Sequence, residues 1–354
     1  MSKRAVIWAA GVFASAAALA ISAWVRADDP AGPEPVFRHG LEIRVRKAGE
    51  KDFSDKTKKV GMEFFLDGPN GNGVYIADAG DIAALPAKLV GAAPPKVQPP
   101  QWSHAMDLQA RKADEKAFSA ATTKFGLEVV RDDNSAALIY IDDAGPFSAV
   151  PAGLSTAKTG DAVKDPDWKN GMVLRVRKAG DADFNEKTPK IGVETYLDPN
   201  TGNIVYISQS GSTAVLPAKL VKVNDAAKEK PADWKHGMEL AARKSDEKLF
   251  SKDTKRYGVE VFFDPYAGGV IYVSETGAIA AVPASLCSLP DPSAKVKPPD
   301  WKRAMVLACR KAGENDFKAA KRYGVEVFAD PNTGNTVYIS ETGSLAVVPA
   351  KDPA

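Results

Sequence analysis

Met238–Pro283 reads MELAARKSDEKLFSKDTKRYGVEVFFDPYAGGVIYVSETGAIAAVP, and its alternations decide how the chain is built. Met238, Leu240 and Ala242 fall on one parity and Glu239, Ala241 and Arg243 on the other. Period two marks a half-buried strand. Ser245-Asp246-Glu247 then precedes Phe250, with Tyr257 seven positions further on. Small or acidic residues ahead of two ring-bearing residues at that spacing predict a helix of about two turns, packed on a sheet through the Phe. Val259 to Phe263, Val270 to Ser274 and Ala278 to Val282 read as three further strands. They are joined by the loop Asp264-Pro265-Tyr266-Ala267-Gly268 and the tight turn Glu275-Thr276-Gly277. Pro283, which cannot donate to a ladder, ends the sheet. The unit predicted is β-α-β-β-β.

The same unit recurs about every 66 residues, in five copies. An Arg-Lys pair stands at Arg46, Arg111, Arg177, Arg243 and Arg310. A Gly-X-Glu stands at Gly61, Gly126, Gly192, Gly258 and Gly324, with Glu63, Glu128, Glu194, Glu260 and Glu326. Tyr75, Tyr140, Tyr206, Tyr272 and Tyr338 form a third column, and Phe37, Trp102, Trp168, Trp234 and Trp301 open the units. The helix anchors are Phe53, Phe118, Phe184, Phe250 and Phe317, with Val60, Phe125, Ile191, Tyr257 and Tyr323 completing the face. Gly211, Gly277 and Gly343 sit where a three-residue hairpin needs a left-handed residue.

The expected fold is therefore α+β, with five small antiparallel sheets in a row, each carrying one short helix. The domains are 37–90, 102–154, 168–221, 234–287 and 301–350. Pro-, Ala- and Lys-rich stretches between them read as semi-rigid spacers. Units near 50 residues are marginal alone, so neighbours pack together or share cores. A closed five-bladed β-propeller is the alternative, since each unit offers four strands. A helix after the first strand and prolyl spacers favour the open row.

Residues 1–27 read as a signal peptide: Lys3 and Arg4 lead an uncharged, Ala-rich stretch from Ala5 to Val25, and Val25-Arg26-Ala27 precedes Asp28-Asp29. The alternative is an uncleaved anchor. Export and a secreted, periplasmic or cell-envelope location are expected. Cleavage removes three basic residues and no acid, so 47 basic against 45 acidic residues becomes a near-neutral balance. That composition sustains no positive field, which argues against nucleic acid as partner. In an oxidising compartment Cys287 and Cys309 could pair. Their columns hold Val90, Ser155 and Val221, and Val45, Ala110, Val176 and Ala242, so two small buried residues is the plainer reading.

Each recurring Glu lies mid-strand among apolar neighbours and needs a partner. A Glu–Arg bridge across each sheet is the structural expectation. The functional alternative groups Arg46, Glu63 and Tyr75, Arg111, Glu128 and Tyr140, Arg177, Glu194 and Tyr206, Arg243, Glu260 and Tyr272, and Arg310, Glu326 and Tyr338 into one polar ligand patch per copy. The opening aromatic reads as a core or staple residue; exposed in every copy, it would point to polysaccharide stacking. His39, His104 and His236 share a column with Asn170 and Arg303, an exchange that suits a backbone or turn hydrogen bond over a metal ligand or catalytic base. Asp198-Pro199-Asn200-Thr201-Gly202 and Asp330-Pro331-Asn332-Thr333-Gly334 resemble the start of a calcium loop, but Glu341 is separated by two strands and copy four has Tyr266 at the middle ligand position. Turn chemistry accounts for both. No metal or cofactor is expected.

The run from Val325 to Val348, with the preceding Arg-Lys-Ala-Gly-Glu, resembles repeats of secreted proteins of planctomycete bacteria. The likeness covers all five units; it implies export and repetition and assigns no residue a role. No catalytic signature is found among nucleophile elbows, phosphate loops or zinc-protease helices. The expectation is a non-enzymatic exported protein that binds an extracellular polysaccharide or protein, or serves as envelope scaffold. A cell-envelope glycan hydrolase using a Glu such as Glu260 is the alternative.

Overall fold

A computed structural model describes residues 34–91, 96–156, 162–228, 230–289 and 294–351; the expected signal peptide lies outside them. Blade 1 comprises β1 (Val36–Val45), β2 (Lys58–Leu66), β3 (Gly73–Ala77) and β4 (Ile82–Leu85). Blade 2 comprises β5 (Gln101–Ala110), β6 (Thr123–Asp132), β7 (Ala137–Asp142) and β8 (Phe147–Pro151). Blade 3 comprises β9 (Asp167–Arg175), β10 (Lys190–Leu197), β11 (Ile204–Ser208) and β12 (Thr213–Leu216). Blade 4 comprises β13 (Asp233–Ala242), β14 (Lys255–Asp264), β15 (Gly269–Ser274) and β16 (Ile279–Pro283). Blade 5 comprises β17 (Asp300–Cys309), β18 (Lys321–Ala329), β19 (Thr336–Ser340) and β20 (Leu345–Val348).

Each blade is an antiparallel meander of four consecutive strands. The last strands, β4, β8, β12, β16 and β20, pack on one another in a closed cycle, with β20 against β4. The molecule is a five-bladed β-propeller, and the expected α+β row of separate domains is corrected. The apolar cores explain why. Each lies between two blades: Tyr75 and Phe64 of blade 1 pack with Ile139 and Phe147 of blade 2, and Met305 and Tyr323 of blade 5 with Phe65 and Ile76 of blade 1. A four-stranded sheet of this size has two apolar faces, and only a neighbour on each side hides both. No blade is shared between the chain's two ends; the blade 5–blade 1 seam closes by side-chain packing like the others.

The expected helix is absent; among the described residues there are only strands, turns and short 3₁₀ turns. In blade 4 the start signal forms a turn closed on itself, with the Glu247 carboxylate accepting from Lys244 N at 3.1 Å and Glu247 N donating to Lys244 O at 3.0 Å. A second turn, Ser251 to Thr254, follows at once and leads into β14. Phe250 lies against Arg243 of its own blade, guanidinium carbon 4.4 Å from the ring centre. Tyr257, read as the second helical anchor, is in β14 opposite Leu240.

The supposed spacers run from the innermost strand of one blade to the outermost strand of the next, over the following blade's second-to-third-strand loop. Gly91 N, Thr156 N and Ser288 N donate to Ser135 O, Thr201 O and Thr333 O at 3.0, 2.8 and 2.9 Å. Gln98 N, Lys164 N and Lys297 N donate to the side-chain oxygens of Asn134, Asn200 and Asn332.

Candidate functional site: the five seams

Every column of the repeat meets the neighbouring blade. The guanidinium of each repeated Arg pairs bidentately with the Glu of the next blade. Nε to Oε1 is 2.7 Å for Arg46–Glu128, 2.7 Å for Arg111–Glu194, 2.6 Å for Arg177–Glu260, 2.7 Å for Arg243–Glu326 and 2.6 Å for Arg310–Glu63. The bridge expected within each sheet therefore spans two. In four copies the indole N–H of Trp102, Trp168, Trp234 or Trp301 donates to the second oxygen of the same Glu at 2.7 to 2.8 Å. Both carboxylate oxygens are occupied and the Glu is buried, so each functions as a fixed anion.

The Gly of Gly-X-Glu lets the two backbones meet. A Cβ on Gly61, Gly126, Gly192, Gly258 or Gly324 would lie 2.2, 2.4, 2.2, 2.0 or 2.1 Å from the carbonyl oxygen of the partner Arg. Gly brings the loop in, and Glu two residues on captures its side chain. The loop's next residue is held as well: Ala48, Ala113, Ala179 and Ser245 donate their N–H to Asp143, Gln209, Glu275 and Glu341 at 3.1, 3.0, 2.7 and 2.8 Å.

Outside this lock the Arg lies beneath aromatic rings. Phe118, Phe184 and Phe250 meet Trp168, Trp234 and Trp301 edge-on at 5.7, 5.8 and 5.7 Å; Phe317 meets Phe37 at 5.1 Å. The Arg guanidinium stands 4.5 Å from Phe53 and 5.6 Å from Trp102 at the first seam, with the same sandwich at the others. Trp102 is 49% exposed, Trp234 44%, Phe37 41% and Trp168 39%. In copies one to four the opening aromatic is a half-open cover stapling the seam, and in copy five Trp301 is partly buried against the blade 4–blade 5 core. Beside it lies a groove of about 430 Å³ at the Arg177–Asp181 loop over Gly237–Glu239, and one of about 490 Å³ at the Arg310–Asn315 loop over Gly40–Glu42.

The repeated Tyr belongs to a second network. Tyr75, Tyr140, Tyr206, Tyr272 and Tyr338 are fully buried, and each donates its hydroxyl to the Asp at or directly after the end of the second strand of the next blade: Asp132, Asp198, Asp264, Asp330 and Asp67, at 2.5, 3.0, 2.8, 2.9 and 2.7 Å. Arg and Glu are thus brought together, whereas Tyr is separated from them. The histidine column joins the same Asp: His39–Asp132 at 2.8 Å, and His104–Asp198 and His236–Asp330 at 3.0 Å. Its partner is the carboxylate that leads the turn between the second and third strands of the next blade. Arg303 reaches Asp67 in its place at the closing seam. The loop that resembles a calcium site is this node: Asp198 accepts from Asn200 N and Thr201 Oγ1 within its own turn.

The electrostatics follow the partners. Burial raises the Asp132 and Asp330 carboxyls, but the hydrogen bond and charge of His39 and His236 outweigh it and hold both at about 2. Asp198, beside His104, is likewise lowered. At the seam of Asp264 the histidine column holds Asn170, whose Nδ2 has no hydrogen-bond partner; with no imidazole, burial dominates and the Asp264 carboxyl is raised. That seam compensates apolarly. Tyr266, Ala267 and Gly269 replace the Asn, Thr and Asn of the copy-three and copy-five loops, and Tyr266 packs with Met172 and Ile204 of blade 3.

Cys287 and Cys309 are both free and buried. Cys287 does what Ser155 does in copy two: Asn335 donates to its sulfur at 3.3 Å, as Asn203 does to Ser155 Oγ at 2.9 Å. Burial pushes the Cys287 thiol up to about 11. Among the described residues no group of metal-ligating side chains is assembled and no helix is long and apolar enough to cross a membrane. The Asp column (67, 132, 198, 264, 330) was the functional-looking element missed in sequence. Its signal was present, a strand-ending acid eight residues before each Tyr. No protein-family model, curated protein or solved structure matches this chain.

Proposed function

We propose that the chain is an exported, non-enzymatic binding propeller that engages an extracellular polysaccharide through its five seams. The observation that carries this reading is the repeated seam aromatic: Phe37, Trp102, Trp168 and Trp234 are exposed and Trp301 is partly buried. Each Trp is locked by its N–H on the buried Glu of the Glu–Arg pair, and Phe37 is held edge-on by Phe65 and Phe317. A ring held by such a lock loses little side-chain entropy on binding, and a sugar face stacks on it while neighbouring amides and loop charges accept hydroxyl contacts. Five like sites around a rigid ring match a repeating polymer, where weak contacts add through effective concentration. Fold alone does not assign activity, and the argument rests on the seams.

A glycan array and a polysaccharide pull-down with the chain lacking residues 1–27 test the proposal. Retention of one polymer class, weakened at least tenfold by Trp168→Ala with Trp234→Ala and largely kept by Trp→Phe (the arrangement of Phe37 in copy one), supports it. Binding indifferent to these aromatics rejects it. Hydrolysis of an envelope polysaccharide that disappears in Glu260→Gln would establish the hydrolase reading instead.

A further inference from the structure

The two ends of the central channel differ, and one carries a surface the seam proposal does not use. Where the innermost strands end, Leu85, Val150, Val215, Val282 and Val347 with the prolines of the 86/151/217/283/349 column line a shallow, open apolar hollow. Leu89, Leu154, Leu220 and Leu286, at the ends of the 3₁₀ turns, rim it. The linkers crossing this face each raise one valine into solvent: Val97, Val163, Val223 and Val296, 48, 54, 44 and 42% exposed. Beside them stand exposed Lys96, Lys164, Lys222, Lys295 and Lys297, and nearer the axis Lys88, Lys219 and Lys351. Several acids at this edge already have cations: Asp133 with Arg131, Asp167 with Lys169 and Asp300 with Lys302. Among the described residues of these linkers, Asp165, Asp225 and Asp233 are the other exposed acids. The opposite mouth has the other sign, with Asp78, Asp81, Asp143, Glu275 and Glu341 on the turns between the third and fourth strands.

We propose that the linker face docks on the surface of an anionic lipid bilayer, with the four valines and the leucine rim reaching the interface and the lysines meeting the headgroups. Charge complementarity selects an anionic partner. The distribution selects an extended surface: the valines come from four separate linkers, at four of the five seams, too widely spread for one short peptide. Exposed apolar side chains flanked by Lys are the composition of interfacial binders.

Flotation with vesicles tests it, using the chain without residues 1–27. Vesicles of equal phosphatidylglycerol and phosphatidylcholine should carry the protein up, with binding falling steeply as salt is raised, while phosphatidylcholine alone should not. Lys96→Glu, Lys164→Glu, Lys222→Glu and Lys297→Glu together should lower the partition at least about a hundredfold. Lys56→Glu with Lys252→Glu, on the opposite side, should leave it unchanged. Val97→Ser, Val163→Ser, Val223→Ser and Val296→Ser should weaken binding while keeping its salt dependence. All these side chains are exposed, and an unchanged thermal midpoint verifies the fold. No flotation, equal loss in the opposite-side variant, or capture of soluble polyglutamate in place of vesicles overturns the proposal. Each outcome is independent of polysaccharide binding at the seams.

Discussion

Replacing Gly258 by alanine should damage the blade 3–blade 4 seam far more than replacing Gly237, although both glycines lie in the same sheet. A Cβ on Gly258 would be 2.0 Å from Arg177 O and 3.0 Å from the carbonyl carbons of Arg177 and Lys178. An ordinary carbon–oxygen contact is about 3.3 Å, so the backbone of the Arg177 loop must retreat by about 1 Å. That movement draws Arg177 Nε from Glu260, now at 2.6 Å, and Ala179 N from Glu275, at 2.7 Å. Overpacking at a rigid backbone costs about 1–3 kcal/mol, and loosening two bonds to charged acceptors adds about 1–3 kcal/mol, so about 2–6 kcal/mol is expected. At Gly237 the atoms met are side chains, Arg177 Nη2 at 2.1 Å and Glu260 Oε2 at 2.5 Å. Ala105 and Ala304 already occupy that column at seams whose Arg–Glu bonds are intact. Gly237→Ala should therefore cost less than about 1.5 kcal/mol. Urea unfolding followed by tryptophan fluorescence reads both. Equal costs, or a Gly258→Ala cost under about 1 kcal/mol, would refute the close-approach argument.

Truncating Glu260 to Ala should cost about 3–5 kcal/mol by leaving the Arg177 charge half-buried without its anion, whereas Glu260→Leu with Arg177→Met should be close to neutral, both read by the same unfolding. Asp132 and Asp330 titrate at about 2 in the folded chain, below an ordinary value of 3.8. Each therefore contributes stability above pH 4 that is lost as pH falls toward 2, about 2 kcal/mol per group, visible as an acid limb in stability against pH. His236→Asn should make that seam resemble the Asn170–Asp264 one: Asp330 should rise by carboxyl NMR, with lower stability at pH 6 and a smaller loss below pH 4. Cys287→Ser, which installs the residue of copy two, should shift stability by less than about 1 kcal/mol. The native thiols should resist alkylation until denaturant is added.

Strand positions, turn glycines, the terminal prolines and the need of each mid-strand Glu for a partner were legible in the sequence. The arrangement of units was not, for a definite reason. In a periodic sequence, pairing within a copy and pairing to the next copy look alike: Arg46 is as consistent with Glu63 as with Glu128, its actual partner 82 residues away. The clue lay in what failed to alternate. Only the first strands show period two, buried Leu41, Ile43 and Val45 against exposed Glu42 and Arg44, whereas β7 and β15 are buried throughout. Strands buried on both faces require a cover on each side, which an isolated unit with one helix cannot supply. The helix itself was a coincidence of spacing. Phe250 and Tyr257 stand seven apart, but one ring covers an arginine and the other has already entered a strand.

The account stands on closure of the ring at the blade 5–blade 1 seam, where Arg310 and Glu63 lie 247 residues apart. A double-mutant cycle on Arg310→Met and Glu63→Leu, run beside one on Arg177→Met and Glu260→Leu, measures it directly. A closed propeller predicts coupling of about 2–4 kcal/mol at both pairs, equal within about 0.5 kcal/mol. Coupling at Arg177–Glu260 with none at Arg310–Glu63 would show an open row of blades and contradict the structure proposed for every seam.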